Sequence, residues 1–292
     1  MIHDIVLCLS FYLGLNRRRH VFYRSEIFIF TAVLLALLRG HTHPLFLSSF
    51  FAFVVPFSIE NIISLPVSIG FEPWKYFFQI YSTATESKHY VMYLVFILTL
   101  FCFAQALNLK IGNKNIARKT FHFLGFLTFS KMQKLNILLG CLTVYISVWI
   151  CTIALITKHL TFLTKEAEVQ KDCYSLTFLV FILTYSQVVL EKREFYKLLI
   201  SICILDSFAS FTGDILKKKK KSCEGMIVGI VASCTAEFLT LKSIDVLYHL
   251  SIGMIEYRCC INDNIAIGLS SICYHLLQRE LFPGQCLDCV PE

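Results

Sequence analysis

The sequence predicts an all-α fold, a polytopic transmembrane helical bundle with about eight to ten membrane segments. The first observation is composition. Of 292 residues, 56% are apolar and 16% are charged, and the mean hydropathy is +0.65, whereas soluble domains average about 45–50% apolar and ~25% charged residues. The second observation is length, since about 20 apolar residues cross a ~30 Å hydrocarbon core. Soluble enzymes, disulfide scaffolds and disordered proteins are therefore excluded.

Apolar segments follow one another along the whole chain. The longest almost uncharged segments, Tyr90–Leu109 and Leu135–Thr157, are expected to span. Segments shorter than about 15 residues are tilted spans, re-entrant pieces or buried helices. The other segments are Ile5–Leu15, Ile27–Leu38, Leu45–Ile69, Cys173–Leu190, Phe195–Thr212, Met226–Leu241, Ile244–Ile255 and Ile265–Leu277.

Basic residues are clustered and predict orientation. Arg17–Arg24, Lys110–Lys134 and Lys217–Lys221 are expected on the cytosolic side under the positive-inside rule. The net charge of +7 thus indicates a membrane partner and no nucleic acid, because a nucleic-acid reader spreads its basic residues over a folded polar face. Three clear spans separate the last two clusters, although a shared face needs an even number. Either Thr120–Phe129 crosses as well or a later segment is re-entrant.

The motifs divide the chain into three regions. Residues 1–109 are predicted to be transmembrane segments without a catalytic motif, residues 110–280 a catalytic membrane region, and residues 281–292 a short tail. In the first motif Arg118, His122 and Gly125 fall at helical spacings, so one helix face presents a guanidinium and an imidazole. Arg118 offers a fork for phosphate and the adjacent Lys119 a point charge. The alternative is a basic anchor at the membrane interface.

The second motif contains Asp206 inside an apolar segment, followed by Ala209 and Gly213. An ionisable residue at membrane depth is costly and marks a functional site by default. Small residues at this spacing allow close approach of a ligand or a helix. The alternative is that Asp206 only pairs with a basic residue of another helix.

The third motif is the lysine run Lys217–Lys221, which leads into Ser222, Glu224 and Gly225. Ammonium groups in front of a helix start suit a polyphosphate, because the helix N-terminus attracts anions, and Ser222 is expected to cap that helix. The alternative is a polybasic patch that binds anionic headgroups.

The fourth motif is Asn262-Asp263-Asn264, with Glu256 nearby. Its oxygen atoms are hard ligands of the type that Mg²⁺ or Ca²⁺ prefers. The alternative is an ordinary turn, which such residues also form.

Together these groups supply what phosphoryl transfer from a nucleotide requires, namely metal binding, neutralisation of polyphosphate and an electrostatic clamp. The chain has neither the GxxxxGK[ST] loop nor the protein-kinase motifs. The order RKxxHxxxG, DxxAxxxG, a lysine-rich loop into KSxEG, and NDN resembles the CTP-dependent polyprenol kinase family. Within that family the chain is most similar to a shortened dolichol kinase, because several apolar segments precede the first motif.

The resemblance implies an endoplasmic-reticulum, multi-pass enzyme that phosphorylates the terminal hydroxyl of dolichol with CTP and a divalent cation, giving dolichyl phosphate for protein glycosylation. It implies catalytic roles for Asp206, Asp263, His122 and Arg118, with Asp206 and Asp263 as metal ligands. The residues expected to bind the nucleotide are Lys119, Gly213, Lys220, Lys221, Ser222, Glu224, Gly225, Asn262 and Asn264.

The chain also departs from the family pattern. Gly213 is followed by Asp214-Ile215-Leu216 and then directly by the lysine run, so the nucleotide loop is shorter and has fewer glycines. After NDN, Ile267-Gly268 stands where a proline is usual. A CTP-dependent diacylglycerol kinase or a phytol kinase-like enzyme is the alternative within this chemistry. A membrane transporter or scaffold, in which Asp206 carries a proton or a substrate, is the alternative without catalysis.

Overall fold

The computed structural model describes residues 2–17, 24–39, 43–52, 58–111, 114–131, 133–152, 175–218, 221–259 and 262–281, which form helices and no strand. The helices are α1 Ile2–Arg17, α2 Arg24–Arg39, α3 Pro44–Ala52, α4 Ile59–Ser68, α5 Pro73–Glu86, α6 Lys88–Ile111, α7 Lys114–Phe129, α8 Lys134–Thr152, α9 Ser175–Val189, α10 Lys192–Ile200, α11 Asp206–Ile215, α12 Cys223–Leu241, α13 Val246–Arg258 and α14 Asp263–Leu281.

The helices confirm the all-α prediction. Within the described residues, three stretches are long and apolar enough to cross a membrane, namely Lys88–Asn108, Lys192–Ile215 and Cys223–Leu241. Lys134–Ile150 and Ser175–Val189 are apolar but shorter. The protein is therefore a helical chain with membrane-crossing capacity, and the count of eight to ten segments stays a prediction.

The chain divides into two compact units, Met1–Thr184 and Tyr185–Glu292, and each is described by itself. This division falls inside α9, whereas the sequence predicts a boundary between residues 109 and 110, in front of the first motif. Residues 282–292, nearly all of the predicted tail, lie outside the described part of the chain.

In the first unit, α6, α7 and α8 are joined at one end by a tyrosine. The hydroxyl of Tyr90 donates to the carbonyl oxygen of Thr128 at 2.9 Å and contacts the Asn136 side chain. Leu94 and Leu135 pack beside the Tyr90 ring in a buried apolar cluster. These contacts place the beginning of α6, the end of α7 and the beginning of α8 at the same level.

In the second unit, two glycines of α12 allow close packing against the preceding helical stretch. A Cβ atom on Gly225 would lie 2.7 Å from the carbonyl oxygen of Ala209, and one on Gly229 would lie 2.8 Å from that of Leu205. Any side chain at these two positions would push the backbones apart. Small residues four apart are typical of closely packed membrane helices.

A π-helical turn interrupts the stretch from α10 to α11. Residues Ser201–Leu205, here called the π segment, form this turn, and the amide of Asp206 donates to the carbonyl oxygen of Ser201. Such π turns inside α-helices are rare and occur often at functional sites. The π segment therefore directly precedes the predicted catalytic carboxylate.

Candidate functional site

The ammonium group of Lys221 gathers residues from three parts of the chain. Its Nζ lies 2.6 Å from Asp263 Oδ1 and 3.1 Å from Glu256 Oε1, and it donates to the carbonyl oxygen of Glu256 at 2.5 Å. Lys221 precedes α12, Glu256 lies in the last turn of α13 and Asp263 begins α14. These three residues are called the Lys221 cluster.

Local structure at the start of α12 fixes the position of Lys221. The Ser222 hydroxyl accepts a hydrogen bond from the Gly225 amide at 3.1 Å, so the predicted cap of this helix is confirmed. Glu224 lies at the surface, where it faces Lys218 at 3.6 Å. The capped end leaves the N-terminus of α12 next to the lysine, and a helix N-terminus attracts anions.

Opposing effects set the protonation of the Lys221 cluster. Burial alone would lower the pKa of Lys221, but the charges of Asp263 and Glu256, together with their hydrogen bonds, raise it above its ordinary value. Burial raises the pKa of Glu256, Lys221 opposes this, and the charges of Asp206 and Asp263 raise it further, so that the net direction is upward. Lys221 is therefore charged at neutral pH, and its side chain keeps 32% of its surface exposed.

Asp206 lies within electrostatic range of this cluster. It is 97% buried, since its exposed fraction is 3%, and its charge acts on Glu256. Among the described residues, no group of three or more His, Cys, Asp or Glu side chains is arranged to hold a metal ion. The predicted metal ligation by Asp206 and Asp263 stays a prediction, and in this structure the Lys221 ammonium is the cation beside Asp263.

The other residues predicted to bind the nucleotide differ in whether packing already accounts for them. Gly225 contacts the backbone of Ala209, so close helix packing already explains its lack of a side chain. A Cβ on Gly213 would meet nothing within 4 Å, so that position is open. The Asn262 side chain accepts from the Asn264 amide at 3.1 Å, just before α14. Lys220 lies outside the described residues.

The first motif lies on α7, in the first unit, and is described there by itself. Lys119 and His122 are buried and Arg118 is partly exposed. One turn beyond His122, Gly125 lines an almost wholly apolar cavity of about 250 Å³ between α6, α7, α8 and α9. The basic motif thus continues into a helix face that borders space suited to hydrocarbon.

A second charged group in the second unit was not predicted. Lys197 lies 2.7 Å from Asp245 Oδ2, and His249 Nε2 lies 2.9 Å from Glu237 Oε2. The amide of Asp245 donates to the same glutamate oxygen at 2.9 Å. These four residues are called the Glu237 cluster. Glu237 lies in the apolar segment Met226–Leu241, so the argument that singled out Asp206 could also have found it.

No family model, curated protein or solved structure matches this chain.

Proposed function

We propose that this protein is a CTP-dependent lipid kinase of the endoplasmic-reticulum membrane that phosphorylates dolichol to dolichyl phosphate for protein glycosylation. The observation that carries the proposal is the Lys221 cluster, where a charged, partly exposed ammonium lies at a capped helix start beside two carboxylates. This arrangement supports phosphate binding together with acid–base or metal chemistry.

The phosphates of CTP would bind at the start of α12. Backbone amides and the helix dipole favour anions there, and Lys221 supplies a point charge that the neighbouring carboxylates keep protonated. Lys217 and Lys218, which are exposed in the same loop, add positive charge. Each group would act on the triphosphate and none on an uncharged lipid, so these residues should govern the affinity for nucleotide.

In the proposed reaction the alcohol oxygen of the lipid attacks the γ-phosphorus of CTP. A new O–P bond forms, the bond from the γ-phosphorus to the bridging oxygen breaks, and CDP leaves with that oxygen. The hydroxyl proton passes to a carboxylate of the second unit, Asp206 or Asp263. The roles of Arg118 and His122, which lie on α7 of the first unit, stay predictions from the family resemblance. The carboxylate oxygens of Asp206 and Asp263 are of the type that Mg²⁺ or Ca²⁺ prefers, and a cation held there would neutralise charge on the phosphates.

A hydrocarbon substrate is supported by the cavity beside α7. Its lining is apolar except for Thr128, Asn136 and Thr143, so an isoprenoid chain would lose little by leaving the bilayer. Diacylglycerol and phytol also have apolar chains and remain the alternative substrates.

A transporter is the second candidate. It is favoured by the burial of Asp206 within the candidate span Lys192–Ile215 and by the π segment that breaks this span. Interrupted helices with an ionisable residue form the substrate sites of many transporters. A transporter would consume no CTP.

The experiment is phosphorylation of dolichol, phytol and diacylglycerol by the purified protein in nanodiscs with CTP labelled in the γ-phosphate. We expect label on dolichol, and in Lys221→Ala an apparent KM for CTP raised at least ~10-fold, about 1.4 kcal/mol, with the KM for lipid unchanged. Lys192→Ala, an exposed lysine at the start of α10, is the matched control. If only diacylglycerol becomes labelled, diacylglycerol and not dolichol is the substrate. If the folded protein labels none of the three lipids, the transporter is favoured.

A further inference from the structure

Helix α5 carries four large aromatic residues on one exposed face. Trp74, Phe77, Phe78 and Tyr81 are 86%, 55%, 70% and 68% exposed. They recur at positions i, i+3, i+4 and i+7, which places them on one side of the helix. In water, this face would leave a contiguous aromatic surface unburied, and such a patch marks an interaction site.

The other two faces of α5 have different partners. Tyr76, Ile80 and Ala84 form the packed face, where Ile80 and Ala84 lie against the cluster of Tyr90 and Leu94 and the Tyr76 hydroxyl donates to the Leu138 carbonyl oxygen of α8. The remaining face is polar and consists of Lys75, Gln79, Ser82 and Glu86. Thus α5 has one face against protein, one polar face and one aromatic face.

The position of α5 along the chain places it at the end of a candidate span. Only Ser87 separates the end of α5 from Lys88, the first residue of that span. The Tyr90 hydroxyl brings the end of α7 and the beginning of α8 to the same level, where Lys131 and Lys134 are exposed. Lysines at helix ends typically lie where hydrocarbon gives way to headgroups.

We propose that α5 lies in the plane of the membrane interface, with its aromatic face inserted at the boundary between headgroups and acyl chains. Its polar face is then in water and its third face stays against the first unit. Trp and Tyr are enriched at this depth, and a helix with these faces lies on a membrane and does not cross it. At about 21 Å for 14 residues, α5 is also too short to span.

The ion pair at the start of α5 supports the same depth. Lys75 Nζ lies 2.7 Å from Glu72 Oε2, and both side chains are more than half exposed. Charged groups at the bilayer centre are costly, whereas the headgroup region tolerates them. The aromatic face therefore contacts a lipid bilayer and requires no particular headgroup. This proposal does not depend on the kinase assignment.

Tryptophan fluorescence tests this placement, because the chain contains only two tryptophans, the exposed Trp74 and the buried Trp149. Trp149→Phe leaves Trp74 as the single reporter in the full-length protein in nanodiscs. Lipids brominated near the headgroup should remove about half or more of its emission, and lipids brominated at the acyl ends clearly less, as the interfacial preference of tryptophan predicts. Should Trp149→Phe fail to fold, the difference between wild type and Trp74→Phe gives the same signal.

Three results would overturn the proposal. If aqueous iodide quenches Trp74 and neither brominated lipid does, the side chain faces water. Quenching that is strongest at the acyl ends places α5 in the hydrocarbon core. Emission protected from both iodide and brominated lipid indicates that protein covers the aromatic face. As a matched pair, Phe78→Glu should shift Trp74 emission to the red, while Gln79→Glu on the polar face should leave it unchanged.

Discussion

The Lys221 and Glu237 clusters of the second unit combine similar charged groups and differ in their access to solvent. Each joins one lysine to two carboxylates. The side chain of Lys221 is 32% exposed, whereas that of Lys197 is 11% exposed and its partner Glu237 is wholly buried. An exposed ammonium can exchange its carboxylates for a ligand. A buried one holds helices together, because a lost partner leaves a charge without water.

The two clusters lie at opposite ends of the same two helices. Glu256 of α13 lies beside Lys221 at the start of α12, whereas His249 of α13 pairs with Glu237 near the end of α12. Between them, a Cβ on Gly253 would meet Ile230 at 2.7 Å, so the antiparallel helices are tightly packed. We therefore expect the Glu237 cluster to stabilise the packing of α12 against α13. We expect the Lys221 cluster to bind and release a ligand.

The largest effect is expected from Glu237→Ala. It removes the partner of His249 and one of the two carboxylates near Lys197 from a buried site, so the free energy of unfolding should fall by about 3–5 kcal/mol. The midpoint of unfolding in detergent measures this. Glu224→Ala on the same helix is the matched control, because its exposed carboxylate should leave the midpoint near that of wild type.

A Glu237→Ala variant with an unchanged unfolding midpoint and a raised KM for CTP would contradict this division of roles between the two clusters. The Glu237 cluster would then belong to the nucleotide site.

Asp206→Asn is expected to act on turnover. The substitution keeps the size of the side chain and removes the charge that faces the Lys221 cluster, so turnover should fall at least ~100-fold, about 2.7 kcal/mol, while the protein stays folded and inserted. Labelled CTP measures the rate. Asp214→Asn, an exposed aspartate of the same helix, should keep wild-type turnover. A rate within about threefold of wild type would make Asp206 a structural partner, and the catalytic carboxylate would then be Asp263 or Glu224.

Gly229→Ala tests whether α12 packs closely against the helical stretch that precedes it. Its Cβ would lie 2.8 Å from the Leu205 carbonyl oxygen, so α12 must move away, at about 1–3 kcal/mol of unfolding free energy. Gly213→Ala is the control, because nothing lies within 4 Å of its Cβ. Equal unfolding midpoints for the two variants would show that the helices are not tightly packed at Gly229.

The smallest effect is expected from Ser222→Ala. Loss of the cap should reduce stability by about 1 kcal/mol and raise the KM for CTP a few-fold, because Lys221 is its neighbour. Ser58 caps α4 in the same way, since its hydroxyl accepts from the Asn61 amide at 3.1 Å. Ser58→Ala should therefore lose similar stability without any change in KM. A KM change in both variants would remove the link between the Ser222 cap and the nucleotide.

Sequence reasoning performs best where the signal is local. Apolar segments predict the helices, and a serine in front of Glu224 and Gly225 predicts the cap of α12. The approach of Lys221 to Glu256 joins residues 35 positions apart, and no spacing rule encodes it. The Glu237 cluster is drawn from residues 197, 237, 245 and 249, so only the isolated charge of Glu237 in an apolar run could have indicated it. Whether Arg118 and His122 serve the same reaction stays a prediction.

Both clusters depend on the number of residues in the π segment. Because each α-helical residue advances by about 100°, the additional residue in a π turn rotates everything after it relative to everything before it. Lys197 precedes this turn and Asp206 follows it. Deleting one residue from Ser201–Leu205 should restore a regular helix and rotate Asp206 relative to Lys197. Lys197 would then lose its ion pair with Asp245, or Asp206 its electrostatic interaction with Glu256. Insertions and deletions in this stretch should therefore be far less tolerable than substitutions of its four apolar side chains.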